Sequence, residues 1–134
     1  MVPMMAHEDG DMRAYRTALS HFPTGVAIVT VKPSDSAAVG LTINSFASIS
    51  LDPPLILWSL ARSARSIQAF ERTGQFVVNV LGADQEDLAY RFARPSDDRF
   101  AGEGHAVNPQ GTPLMAASPI SNASEPRSMM AGTM

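Results

Sequence analysis

Residues 40–55 read Gly40-Leu41-Thr42-Ile43-Asn44-Ser45-Phe46-Ala47-Ser48-Ile49-Ser50-Leu51-Asp52-Pro53-Pro54-Leu55. From residue 38 to residue 50, small or polar residues alternate with apolar ones, which is the period of extended chain. The stretch is long enough for one bent strand or for two. Asp52-Pro53-Pro54 ends it, because proline has no N–H to give a central strand. Asp52 is read there as a turn former and not as an acid catalyst. Just upstream, Val26-Ala27-Ile28-Val29-Thr30-Val31 is apolar and β-branched, a strand closed by the turn Pro33-Ser34-Asp35-Ser36. Just downstream, Leu55-Ile56-Leu57-Trp58-Ser59-Leu60 reads as a further buried strand, with Trp58 in the core.

Outside this region the period changes. Asp11 is placed to cap a helix over 12–21, with Met12, Tyr15, Ala18, Leu19 and Phe22 near one face. Pro23-Thr24-Gly25 breaks it. A short helix runs from Ser66 to Arg72, offering Ile67, Ala69 and Phe70 to the core, and Thr73-Gly74 stops it. A strand follows over 75–81 with Phe76-Val77-Val78-Asn79-Val80 at its centre. Asp84 is placed to cap a helix ending near Phe92, and after Arg94-Pro95 the chain reads as loop. Successive strands without a helix between each pair argue against a doubly wound parallel sheet. The expected class is mainly β, an antiparallel barrel with peripheral helices.

Composition narrows the function. A chain of 134 residues with 45% hydrophobic residues suits one domain with a real core. A net charge of -3, with no basic run, does not suit phosphate neutralisation, so no nucleic-acid partner is expected. The absence of cysteine excludes disulfides, thiolate metal sites and cysteine nucleophiles. No apolar run reaches the ~18–20 residues needed to span a membrane. The N-terminus lacks the basic and apolar regions of a signal peptide, so a cytoplasmic location is expected. His7 falls in the leader, His21 at a helix end and His105 in a loop without a second histidine at ligand spacing. No metal is expected.

Four segments, in order, resemble the flavin reductase-like family of FMN-binding split barrels. The first is Phe22-Pro23-Thr24-Gly25-Val26 with the strand that follows. The second and most specific is the 40–55 stretch. The third is Arg65-Ser66 with its helix, then Gly74-Gln75-Phe76-Val77-Val78-Asn79-Val80-Leu81. The fourth runs from Asp84-Gln85 through Arg91-Phe92 to Asp98-Arg99-Phe100. Together they cover roughly 12–114. The nearest branch is the reductase component of two-component flavin monooxygenases.

The resemblance implies an FMN-binding split β-barrel, antiparallel and Greek-key-like, with peripheral helices. It implies NAD(P)H-dependent reduction of FMN or FAD, a homodimer, and a flavin-dependent monooxygenase that receives reduced flavin by diffusion. The alternatives are a flavin-binding electron-transfer module and an inactive truncated remnant. Hydride passes from nicotinamide to the flavin ring, so no catalytic side chain is required; the protein orients both partners.

The residues suit such a ligand. Thr42, Asn44, Ser45 and Ser48 offer hydroxyls and an amide to the ring's polar edge and the phosphate. Gly40, Ala47 and Ser48 are small enough for backbone to approach the ring. Arg65 and Ser66 suit a phosphate at the start of a helix. The resemblance further implies flavin contacts at Ser59, Leu60 and Ala61 and at Arg91 and Phe92. Each group has a plainer reading as well. Ser and Thr satisfy strand edges and turns, Ser66 is an ordinary helix cap, and Arg91-Phe92 is a helix-end arginine beside a core phenylalanine.

The last twenty residues depart from the family. From Met115 to Met134 there is no aromatic residue, the only charges are Glu125 and Arg127, and no strand period is visible. The expected organisation is a disordered leader over 1–10, a truncated domain over 11–114 and a disordered tail outside the family over 115–134. The genetic code suggests a reason. Read one base earlier from about Met115, each codon takes the last base of one codon and the first two of the next. Methionine has the single codon ATG, so the position of Ala116 becomes glycine, that of Met130 aspartate and that of Ala131 glycine. The final six positions can then read Tyr-Asp-Gly-Gly-Asp-His, and the stretch before them Leu-Asp-Gly-Cys-Ile-Ala-His-Phe-Glu-Cys-Glu. Both strings resemble the continuation the family implies, including a Gly-Asp-His segment near the nicotinamide. A frameshift near Leu114 is therefore expected; a natural tail of biased composition is the alternative.

Overall fold

The 26–31 run, apolar and β-branched without alternation, is the pattern of a strand covered on both faces. In the computed structural model it is β1 (Ala27–Val31), buried at every position. The structure describes residues 9–102, 105–115 and 128–132. Expectations for 1–8, 116–127 and 133–134 lie outside those residues. β1 pairs antiparallel with β2 (Val39–Ile43) on one side and β5 (Gln75–Val80) on the other. Ala27, Val29 and Val31 join Ile43, Trp58, Phe70, Phe76 and Val78 in the larger core. Ile28, on the opposite face, packs with Phe92 and Met115 in a second cluster.

The 38–50 stretch resolves as two strands. β2 ends at Ile43, and after a bend β3 (Ala47–Leu51) forms a ribbon with β4 (Pro54–Leu57). The ribbon corrects the expectation of a buried strand over 55–60. Leu55 and Leu57 are about half exposed, at 48% and 54%, and the strand stops before Trp58. Among the described residues the two-stranded ribbon is covered on one side, where Ile56 packs against the larger core, and Leu55 and Leu57 on the other side stay exposed. Pro54 opens β4, a position that proline tolerates. Trp58 does enter the core, meeting Phe70 and Phe76 edge-on at 5.2 and 5.5 Å.

The helices lie around this sheet. α1 (Asp9–Ser20) begins before the expected cap at Asp11, and its apolar residues Met12, Tyr15 and Leu19, with Phe22 just after it, are all exposed. His21 closes its C-terminal end, with Nδ1 2.8 Å from the Thr17 carbonyl. α2 (Ile67–Arg72) sends Phe70 to the larger core. A 3₁₀ turn (Ala83–Gln85) precedes α3 (Glu86–Ala93) and contains Asp84, which is not the cap; the Gly82 N–H donates to Gln85 Oε1 at 2.9 Å. α3 packs on β2.

The chain beyond Pro95 is more ordered than a loop. β6 (Ala106–Val107) and β7 (Pro113–Leu114) form a ribbon. Its turn is held by Asn108 Oδ1, which accepts from the N–H groups of Gln110 and Thr112, and by Gly111 at φ 80. A buried polar network then fastens this segment to the sheet. Thr30 Oγ1 donates to the Pro113 carbonyl at 2.7 Å. Asn79 Nδ2 donates to the Ile28 carbonyl at 2.9 Å, and its Oδ1 accepts from Met115 N–H at 3.0 Å. Met115, expected to begin the tail, is 3% exposed in the second core cluster.

A further strand, β8 (Ser128–Gly132), pairs antiparallel with the outer edge of β5. No side-chain alternation announced it. An edge strand presents a row of unpaired N–H and C=O groups, and backbone pairing satisfies them whatever the side chains. The sheet order is β2-β1-β5-β8, with the two ribbons separate. Among the described residues the strands are antiparallel with flanking helices, and they do not close into a barrel.

Candidate functional site

β2 is an edge strand, and one wall of a groove is built on it. The groove, about 620 Å³, is lined by residues 37–42, by Ala64, Arg65 and Ser66, and by the segment from Phe92 to Phe100. Such a volume lies within the ~300–1,000 Å³ range of small-molecule sites. Its floor exists because Gly40 has no side chain: a Cβ there would stand 2.7 Å from Phe92 Cε1 and 3.2 Å from Phe100 Cζ. Phe92 and Phe100 meet edge-to-face at 5.0 Å against that glycine.

Of the sequence-predicted site residues, the structure brings Thr42, Arg65, Ser66 and Phe92 to this groove. Thr42 is half-buried, and its hydroxyl donates to the Ala89 carbonyl of α3 at 2.6 Å, leaving lone pairs to accept. Arg65 is exposed at the groove's edge, with no hydrogen bond or ion pair to another described residue. Ser66 is the N-cap residue of α2, yet its side chain makes no capping bond. A cation and a hydroxyl thus lie side by side without side-chain partners among the described residues. Phe92 is 1% exposed, a core residue that gives the groove little surface.

The remaining candidates form a second strip. Asn44 and Ser45 occupy the bend between β2 and β3, Ala47 and Ser48 lie exposed on β3, and Ser59, Leu60 and Ala61 follow β4. One bond ties the strip together: Ser59 N–H donates to Ser45 Oγ at 3.0 Å. Leu60 packs against the larger core. Arg91 does not line the groove; it points to the chain beyond, with Nη1 3.5 Å from the Ala101 carbonyl. Sequence reasoning missed Arg99 and Phe100 as groove residues. Their signal was the Asp98-Arg99-Phe100 triplet, whose partner Gly40 is far away in the chain.

Among the described residues no cluster of three or more histidine, aspartate or glutamate side chains is placed to hold a metal, and no helix is long and apolar enough to cross a membrane.

Comparison with known proteins bears on this geometry. Residues 19–128 match the model of the "Flavin reductase like domain". The chain belongs to the flavin reductase-like family. A probable flavin reductase of Rhizobium meliloti (strain 1021) is 42% identical over 112 residues, covering 84% of this chain and 36% of that protein. The reductase subunit HsaB of a flavin-dependent monooxygenase from Rhodococcus jostii (strain RHA1) is 41% identical over 114 residues, covering 85% of this chain and 58% of the other. Among solved structures, an NADH:FAD oxidoreductase of Streptomyces globisporus C-1027, in complex with NAD and FAD fragments, superposes with a TM-score of 0.74 at 38% identity. The superposition covers 83% of this chain and 67% of that one. The chain spans between about a third and three-fifths of the length of these curated relatives. The family match, over residues 19–128, takes in both the groove and the serine-rich strip.

Proposed function

We propose that this flavin reductase-like chain binds FMN or FAD in the groove and along the serine-rich strip, and reduces it with NAD(P)H. The observation that carries this reading is the pair Arg65 and Ser66, a cation and a hydroxyl without side-chain partners among the described residues, on a groove of about 620 Å³. They suit a flavin phosphate. Thr42, Asn44, Ser45 and Ser48 supply acceptors and donors for the polar edge of the ring, with Ala47 leaving space for its face. Ser59, Leu60 and Ala61 line the far end of the strip, Phe92 supports the groove from α3, and Arg91, beside it on α3, is directed to the Ala101 carbonyl beyond the groove. When bound, the flavin supplies the electron-accepting ring. The protein's part is to hold it and leave one face for the nicotinamide. The test is equilibrium quenching of FMN and FAD fluorescence, followed by loss of NADH and NADPH absorbance. Binding in the micromolar range with flavin-dependent NAD(P)H oxidation is expected; absence of flavin binding overturns the reading.

The reduced flavin would serve a partner monooxygenase in the cytoplasm, as the relative from Rhodococcus is the reductase subunit of such a system. The assembled protein is proposed to be a homodimeric split barrel. The support is apolar surface: Ile49 and Leu51 on β3 are 59% and 90% exposed, and Leu19 on α1 and Phe22 just after it are 54% and 73% exposed. Large apolar side chains exposed to this degree suit a contact surface. Light scattering is expected to give twice the chain mass of 14.3 kDa.

We also propose that the domain is incomplete at its C-terminal end, through a shift of frame near Leu114. The forced glycine and aspartate positions support this. An undisturbed frame encoding the same tail in other isolates would sink the idea. A version with the frame restored is expected to turn over faster than the present chain.

A further inference from the structure

The third wall of the groove, residues 93–100, contains no strand and only the end of α3. What keeps it against β2 is Arg99. Its Nη1 donates to the Gly40 carbonyl at 2.6 Å and its Nε to the Arg94 carbonyl at 3.0 Å. One guanidinium therefore closes the loop on itself and buckles it to the edge strand. An edge strand has carbonyls without strand partners, and Gly40 offers one of them to Arg99. Two residues along the same strand, Thr42 donates to the Ala89 carbonyl of α3. These two bonds join β2 to a single unit made of α3 and the loop after it. Between them the groove wall has little freedom. Among the described residues, Arg65 and Ser66, on the other side of the groove, have no comparable tie.

We propose that Arg99 is a positioning residue for the flavin: it sets the distance between the β2 wall and the 93–100 wall. The proposal rests on the reading that this groove holds flavin. A planar fork with donors in fixed directions reaches two carbonyls at once, which a lysine ammonium on a flexible stem does less well. Phe100, the next residue, is carried against Phe92 and Gly40 by the same anchor. The predicted effect therefore falls on flavin affinity before it falls on the chemical step.

Equilibrium flavin-fluorescence titration of the unaltered chain, Arg99→Ala and Arg99→Lys tests this, with circular dichroism as a check of fold and hydrogen exchange over 93–100. Each bond to a charged donor is worth enough that losing both weakens binding roughly tenfold or more. Arg99→Ala is expected to show that loss, Arg99→Lys a smaller one, and added guanidinium ion to recover part of the alanine variant's affinity. The KM for flavin rises more than kcat falls, and 93–100 exchanges faster while β1 and β5 stay protected. If Arg99→Ala does not fold, Arg99→Lys decides: affinity and loop exchange equal to the unaltered chain overturn the proposal. Binding by a folded Arg99→Ala within about twofold of the unaltered chain also overturns it while leaving the flavin reading intact. No flavin binding by the unaltered chain overturns both.

Discussion

β1 and the β3–β4 ribbon are built from similar residues and meet opposite fates. Ala27-Ile28-Val29-Thr30-Val31 is buried throughout, whereas Ala47-Ser48-Ile49-Ser50-Leu51 has its two large apolar residues exposed at 59% and 90%. β1 is the more β-branched of the two, yet both form strands and both carry large apolar residues. The difference is the number of neighbours. β1 has a strand on each side and a cluster of side chains on each face. Among the described residues β3 has one strand partner, β4. Apolar sequence reports that a surface wants to be covered; it does not say by what. Within one chain the sheet answers that demand for β1, and the proposed second copy answers it for the ribbon.

Truncation in the covered region is the strongest way to break the contrast. Phe92→Ala removes a side chain 1% exposed that fills the space above Gly40. It is expected to cost about 3–5 kcal/mol in urea unfolding. That is a large share of the ~5–15 kcal/mol stability of an ordinary domain. A loss under about 1 kcal/mol would mean that the second core cluster is not cooperative with the first. Next come two changes that probe buried polar and backbone packing. Asn79→Ala leaves the Met115 N–H without its acceptor inside the protein and is expected to cost about 1–3 kcal/mol. The exposed Asn44→Ala should stay within about 0.5 kcal/mol in the same melts. Equal effects at the two asparagines would contradict the assignment of Asn79 to the clamp.

Gly40→Ala is smaller in atoms but lands on ring carbon at 2.7 Å. Overpacking of this kind costs about 1–3 kcal/mol. It should also weaken flavin binding, because the floor of the groove moves with Phe92 and Phe100. A melting temperature unchanged from the parent would show that the rings give way freely. The smallest effect on fold is expected for Leu51→Ser. With 90% of its surface exposed, it should alter the stability of the isolated chain by no more than about 0.5 kcal/mol. It should nevertheless shift the assembly toward monomer in sedimentation equilibrium. An undisturbed dimer would place the interface elsewhere.

Much of this was legible in advance, and the pattern of misses has one cause. The strands over 27–31 and 75–80, the helices over 67–72 and 86–93 and the turn at Asp52-Pro53 follow from period, β-branching and proline, all local properties. So does the burial of Trp58, a large apolar residue at the end of an apolar run. Misread were the exposure of Leu55 and Leu57, the burial of Met115 and the strand at 128–132. Each depends on what lies next to the segment in space. The site divides in the same way. Thr42, Arg65 and Ser66 were named from their chemistry and the family resemblance, and the fold brings them to one groove. Arg91, which the family resemblance also points to, stands outside that groove.

The sequence by itself determined the alphabet of elements, the absence of cysteine chemistry and the membership of the flavin reductase-like family, because these depend on residue type and short-range order. Only the tertiary structure decided which apolar faces are covered, that Met115 is clamped by Asn79, and that Arg99 grips Gly40 across 59 positions of chain. A hydrogen bond of that reach leaves no period in the sequence. It exists only once β2 has become an edge and α3 has been laid against it.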